Sequence, residues 1–194
     1  MKKGVLCILL VACLTAGCQK KVNYIEQGTQ QMEEQKYEDA VSSFQQSLEK
    51  KEDAQEAYRG LGMAYYEQKD YKAAREAFQN VIANDGEESA VLYNFIGVCS
   101  MQLDDMEGAL DAFQKGIALA EKADSSESGT QKEGGKKDGA ADLSKTIQEM
   151  KFNEIVCYEQ LHDWQSAKEK AEAYIAKYPD DQAAQKEVEF LKTR

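Results

Sequence analysis

The fold of this chain is decided by the stretch Ala-Tyr-Arg-Gly-Leu-Gly-Met-Ala-Tyr-Tyr at residues 57–66. Its pattern recurs on either side, because Gly28, Gly62 and Gly97 stand 34 and 35 residues apart and a tyrosine precedes each glycine by four residues. An alanine follows each glycine after twelve residues and a phenylalanine after sixteen. These four residue positions, Tyr, Gly, Ala and Phe, recur with one period, which indicates a chain built from internal repeats.

The pattern resembles the tetratricopeptide repeat (TPR), a helix-turn-helix unit of about 34 residues. The second unit carries the resemblance most fully, since Asp70, Ala74 and Phe78 follow residues 57–66 at the spacing of the family. We expect Gly62 and Ala74 to face one another where the two helices of the unit cross. Asp70 is placed to cap the second helix.

A fourth, degenerate unit has Ile155 where the earlier units have glycine and Ala171 where they have phenylalanine. We hypothesise that this exchange of bulk compensates across the helix pair. Pro179 stands where the family usually ends its second helix, and Asp180 and Asp181 after it can cap a last helix. One face of that helix holds Ala184, Val188 and Leu191, as expected for a terminal cap of a repeat array.

The period breaks at residues 123–145, which hold Ser, Gly, Asp, Glu and Lys and almost nothing apolar. Such a segment cannot offset its ordering entropy by burial, so we expect a disordered loop between repeats three and four. The predicted fold is therefore all-α, a TPR solenoid of four repeats with a C-terminal capping helix. Repeats one to three occupy residues 22–122, and the fourth repeat and the cap occupy residues 146–194.

Residues 1–17 are predicted to be a signal peptide, because Lys2 and Lys3 precede an apolar run from Val5 to Ala16. The run is too short for a lasting transmembrane helix, which needs about 20 apolar residues. An ordinary secretory signal, followed by an incidental cysteine, is the alternative.

The run Leu14-Thr15-Ala16-Gly17-Cys18 resembles a lipobox. The resemblance implies that Cys18 becomes the mature N-terminus and carries diacylglycerol, with residues 18–21 as a tether. Cys13 follows a similar run, but cleavage there would leave a shorter apolar core than signal peptides use, which favours Cys18. We therefore expect a lipid-anchored protein of the bacterial cell envelope, on the extracytoplasmic face of a membrane.

The formal charge of −11 argues against nucleic acid as a partner, because a phosphate backbone requires a basic face. Without the signal peptide the chain keeps 22 basic and 35 acidic side chains, a net charge of −13. Attraction to anionic headgroups therefore cannot hold the chain at a membrane, whereas acyl chains contribute about 0.8 kcal/mol per buried methylene.

The family resemblance implies that the first helices line a concave face on which a protein or peptide partner lies. Projecting the groove positions of the family onto this chain selects Ile25, Met32, Arg59, Met63, Tyr66, Val91, Asn94, Phe95, Val98, Met101, Phe152, Asn153 and Val156. Met, Val, Phe and Tyr suit an adaptable groove for a helix or an extended peptide.

Part of this apolar stripe could equally be core, since apolar residues at helical spacing more often pack inside. For Phe95 and Val98 both interpretations stay open, whereas Met63, Tyr66 and Met101 favour the groove.

Family members that clamp a terminal carboxylate use Lys and Asn in the groove of the first unit, where this chain has Ile25 and Thr29. The carboxylate-clamp subtype of the family is therefore not expected here.

The sequence predicts a binding protein and no enzyme. Its single histidine, His162, falls in a predicted turn beside Asp163, and Cys99 and Cys157 are expected to be small buried residues. No metal-ligand spacing or cofactor motif is present. Two alternatives remain: a self-associating homo-oligomeric scaffold, and an enzyme or metal protein built around His162, Cys157 and Asp163.

Overall fold

The computed structural model describes residues 22–127 and 137–194 of the chain. These residues form nine α-helices and no strand. The helices are α1 Tyr24–Glu33, α2 Tyr37–Glu49, α3 Ala54–Glu67, α4 Tyr71–Ala83, α5 Ala90–Gln102, α6 Met106–Glu127, α7 Lys137–Gln160, α8 Trp164–Lys177 and α9 Gln182–Leu191.

Consecutive helices pack against one another along the whole array, and the first helices also touch from repeat to repeat, α1 against α3 and α5 against α7. The pairs α1–α2, α3–α4, α5–α6 and α7–α8 are the four predicted repeats, and α9 packs on α8 as the cap. The prediction of an all-α TPR solenoid is confirmed.

Local chemistry at the helix ends explains where the helices start. The backbone N–H of Ala73 donates to Oδ1 of Asp70 at 3.1 Å, as predicted for that cap, and Asp181 caps α9 by accepting from Ala183 and Ala184. Between α3 and α4 the chain turns through Lys69, whose φ of 62° lets the N–H of Asp70 reach the carbonyl of Tyr65 at 2.9 Å. This hydrogen bond closes the helix end.

The partner of the repeat glycine is the phenylalanine of the second helix. A Cβ added to Gly62 would lie 2.5 Å from the Phe78 ring, which is closer than such atoms can approach. The Phe78 ring fills the space that the glycine leaves at the crossing, and the predicted approach of Gly62 to Ala74 stays a prediction. The first and third repeats contain the same pair, Gly28 with Phe44 and Gly97 with Phe113.

The fourth repeat inverts this pair. Ile155 and Ala171 stand at the same spacing of sixteen residues, and both are buried in one cluster with Tyr174 and Val188. The large side chain has moved from the second helix to the first, and the small one from the first to the second. This arrangement supports the hypothesis of compensating bulk.

The region between repeats three and four is more helical than the predicted loop 123–145. Helix α6 continues to Glu127 and α7 already begins at Lys137, while residues 128–136 lie outside the described residues. Leu143 and Ile147 explain part of this extension, because they pack against the cluster that contains buried Met150. The predicted loop 123–145 therefore overlaps the end of α6 and the start of α7.

We expect the Gly62–Phe78 pair to be energetically coupled. Gly62→Ile alone should lower the free energy of unfolding by about 3 kcal/mol, and Phe78→Ala alone by about 3 to 5 kcal/mol. The double variant reproduces the arrangement of the fourth repeat and should lose less than the sum, by about 1 to 3 kcal/mol. Urea denaturation of the four proteins measures this coupling.

The matched control combines Gly62→Ile with Phe113→Ala, which removes the phenylalanine of another repeat. Those two losses should add, because the residues belong to different crossings. Additivity in the Gly62–Phe78 pair as well would contradict compensation of bulk.

Candidate functional site: the face of the first helices

All thirteen predicted binding residues lie on α1, α3, α5 and α7, and we call the surface that they share the groove face. None of them is fully buried. Arg59 and Val91 are exposed and the other eleven are half-buried. The stripe is thus neither hidden core nor a fully solvated surface.

Aromatic contacts connect the second and third repeats on this face. The Tyr66 ring meets Phe95 of the next first helix edge-on at a centroid distance of 5.2 Å. Phe95 in turn stacks on the buried Phe78 at 5.1 Å. Phe95 therefore belongs partly to the core and partly to the groove face, and Val98 likewise packs from the edge against a buried cluster.

At the fourth repeat the groove face opens into a cleft of about 460 Å³. Phe152 lies in it and meets Tyr174 edge-on at 5.7 Å. The hydroxyl of Tyr174 donates to Oδ2 of Asp181 at 2.7 Å, which ties the cleft to the start of the capping helix. The residues that line the cleft are Lys145, Gln148, Glu149, Phe152, Asn153, Tyr174, Asp181 and Ala183.

Two exposed apolar residues belong to this face and escaped the sequence analysis. Val22 is 49% exposed and precedes Gly28 by six residues, as the 42% exposed Val91 precedes Gly97. Phe190 is 40% exposed and follows Val156 by one period of 34 residues. Applying the register position of Val91 to the first repeat would have found Val22, and extending the register into the capping helix would have found Phe190.

The capping helix therefore stands in the place of a fifth first helix. Its buried Ala184, Val188 and Leu191 follow Met150, Glu154 and Cys157 by one period, and all six residues are buried. Phe190 lies on the other side of α9 and continues the groove face.

Carboxylates accompany the apolar stripe. Glu56 lies 3.8 Å from Nε of Arg59, and Glu149 lies 3.7 Å from Nζ of Lys145. Glu159 on α7 meets Glu187 on α9, and burial together with this second carboxyl group raises the pKa of Glu159 to about 7. Burial also raises the pKa of Tyr66, with smaller contributions from neighbours that include Glu67 and Glu149.

The residues of the enzymatic alternative do not share a site. His162 is exposed in the turn before α8 with a φ of 59°, as predicted, and Asp163 accepts from the N–H and the hydroxyl of Ser166 as a helix cap. Cys157 is completely buried, and burial raises its pKa to about 12. A thiol that stays protonated is a poor nucleophile and a poor metal ligand.

Cys99, in the corresponding place of the third repeat, is buried as well and has its pKa raised by burial to about 11. Both cysteines are therefore the small buried residues that the sequence predicted. Within residues 22–127 and 137–194, no three His, Cys, Asp or Glu side chains are grouped so as to hold a metal ion.

Sequence comparison identifies the family. Two tetratricopeptide repeat family models match the chain, one at residues 25–89 and 70–125 and the other at residues 152–181. The chain belongs to the tetratricopeptide repeat proteins. A comparison with curated proteins gives no significant match.

Several solved structures of this TPR fold are similar to the chain. YrrB, described as a TPR protein with an unusual peptide-binding site, has a TM-score of 0.68 at 19% identity, over 88% of this chain and 75% of YrrB. MamA has a TM-score of 0.66 at 18% identity, over 87% and 78%. A tetratricopeptide repeat protein of Parabacteroides merdae has a TM-score of 0.60 at 14% identity, over 89% and 59%. At these identities the likeness concerns the fold alone.

Cys18 and the predicted signal peptide, residues 1–17, lie outside the described residues. Among the helices of the described part of the TPR chain, none combines the length and the apolar character that a membrane crossing demands.

We expect the stability of the chain to fall as the pH rises from about 4.5 to about 7. The folded state raises the pKa of Glu159 from 4.5 to about 7, so its protonated form stabilises the fold and deprotonation removes that contribution. Glu159→Gln should flatten this part of the profile and raise the melting temperature at pH 8. Thermal unfolding between pH 4 and pH 8 measures both effects.

Glu172→Gln, at an exposed position of α8, is the matched control and should leave the profile unchanged. An equal effect of both variants, or none of Glu159→Gln, would contradict the contact between α7 and α9.

Proposed function

We propose that this TPR protein is an adaptor of the bacterial cell envelope, anchored by lipid on Cys18, which binds a partner helix or extended peptide on its groove face. One observation carries the binding proposal. Four large apolar side chains of the described residues are more than a third exposed, namely Val22, Val91, Leu103 and Phe190, and three of these share the groove face.

Together with the half-buried apolar residues of the same face, these exposed side chains form an apolar surface that favours association. TPR proteins are generally interaction modules. YrrB is described as having a peptide-binding site, which makes a peptide the natural first candidate for this chain as well. The half-buried Met63 and Met101 supply flexible side chains that adapt to an inserted residue.

A catalytic role has no support in the arrangement of side chains. Catalysis requires titratable groups that converge on one accessible point. Among the described residues the only histidine is exposed in a turn, and the two cysteines are buried and protonated.

The binding proposal is tested by crosslinking and pull-down from envelope preparations. Met63→Glu with Met101→Glu places two charges on the groove face and should abolish the capture of one specific protein. The matched control is Gln79→Glu with Ala118→Glu, which adds two charges at exposed positions of the second helices α4 and α6 and should keep that protein.

Capture that is unaffected by the groove variant would move the binding site elsewhere. The alternative of a self-associating scaffold is tested on the same proteins by sedimentation equilibrium. It requires a mass that rises with concentration and that falls back to the monomer in the groove variant.

The anchoring proposal predicts that Cys18→Ala releases the protein from the membrane fraction and prevents labelling by a fatty-acid analogue. Cys13→Ala is the control and should remain anchored and labelled, because the lipobox resemblance and the length of the apolar core favour Cys18. Labelling that is lost in Cys13→Ala instead would assign the modification to the other cysteine.

A further inference from the structure

The charge on the groove face is distributed unevenly along the array. The third repeat contributes an apolar floor without any charge, formed by Val91, Phe95, Val98 and Met101 on α5. Exposed carboxylates lie on both sides of this floor, with Glu56 and Glu67 on α3 and Glu149 on α7. The thirteen predicted binding residues contain no carboxylate, so they do not show that the apolar floor lies between two acidic rims.

Register and contacts place these carboxylates on the same face as the apolar stripe. Glu56 and Glu149 precede Gly62 and Ile155 by six residues, as the exposed Val91 precedes Gly97. Glu149 also lines the cleft together with Phe152 and Asn153, and Glu67 directly follows Tyr66, whose ring meets Phe95.

The cations of the chain neutralise these rims only weakly. Arg59 and Glu56 are 45% and 55% exposed at 3.8 Å, and Lys145 and Glu149 are 75% and 50% exposed at 3.7 Å. Exposed ion pairs of this kind are weak, so a cation of a bound segment can take the place of Arg59 or Lys145 beside the carboxylate.

We propose that the segment bound on the groove face is a cationic amphipathic helix, with apolar side chains on the floor of α5 and Lys or Arg side chains on the carboxylates of α3 and α7. This inference rests on the proposed function and specifies its partner. A second copy of the chain fits less well, since a symmetric contact through this face would bring Glu56, Glu67 and Glu149 against the same carboxylates.

The test uses a displayed library of helix-forming peptides of about 18 residues, or five turns, with apolar residues fixed on one side. The other positions vary among Lys, Arg, Glu, Gln and Ser. The library is selected against the immobilised chain without its signal peptide. Enriched peptides should carry a net positive charge next to the apolar side, and their affinity should fall about tenfold between about 0.05 and 0.3 M salt, because salt screens exposed charges.

A charge-reversed protein makes the result specific. Glu67→Lys with Glu149→Lys should shift the enriched peptides towards Glu. The control, Glu38→Lys with Glu76→Lys, makes the same change in net charge at exposed positions of the second helices α2 and α4 and should keep the preference for Lys and Arg.

Enrichment of neutral or acidic peptides would overturn the inference, and so would an equal shift in both reversed proteins. Failure to enrich any peptide would overturn it too. The proposed function is judged separately. If the groove variant Met63→Glu with Met101→Glu still loses its captured protein in the pull-down, the groove face binds a partner even though that partner is not a cationic helix.

Discussion

The close approach of a glycine on each first helix to a phenylalanine on the second is the contact on which the array depends. Gly62 against Phe78 sets how near the two helices of a repeat can lie, and the same pair recurs in the first and third repeats. In the fourth repeat the large side chain, Ile155, is on the first helix and the small one, Ala171, is on the second. Since the second helices fill these crossings, the other side of each first helix is left without a covering layer, and that side is the groove face.

The groove face is the side of the first helices that the second helices leave uncovered. Tyr66 and Phe95 lie at the boundary, because they touch the core on one side and each other on the other. Among the described residues of this face, Val22, Val91 and Phe190 are the large apolar side chains that are more than a third exposed. Carboxylates on α3 and α7 flank the uncharged α5, so a partner on this surface would meet both apolar side chains and negative charges. Such a surface supports binding through burial and orientation through charge.

Most of the fold could be predicted from the sequence, because the decisive signals are local or periodic. Asp70 and Asp181 cap helices whose N–H groups lie two or three residues away. The period of 34 residues identified the repeats and placed the thirteen candidate residues on the first helices. The same register, applied to the start of the first repeat and to the capping helix, would also have added Val22 and Phe190. The extension of α6 and α7 into residues 123–145 was missed, because little in that composition marks a buried face apart from Leu143.

By itself, then, the sequence determined the helices, their caps, the repeat and the face that each first helix presents, since these depend on neighbours within a few turns or one period. The tertiary structure decided which side chains meet across helices. It placed the Phe78 ring against Gly62, brought Glu159 to Glu187, and put Phe95 between Tyr66 and Phe78. These contacts depend on side-chain direction and on how an insertion between repeats is accommodated, and neither has a periodic signature in the chain.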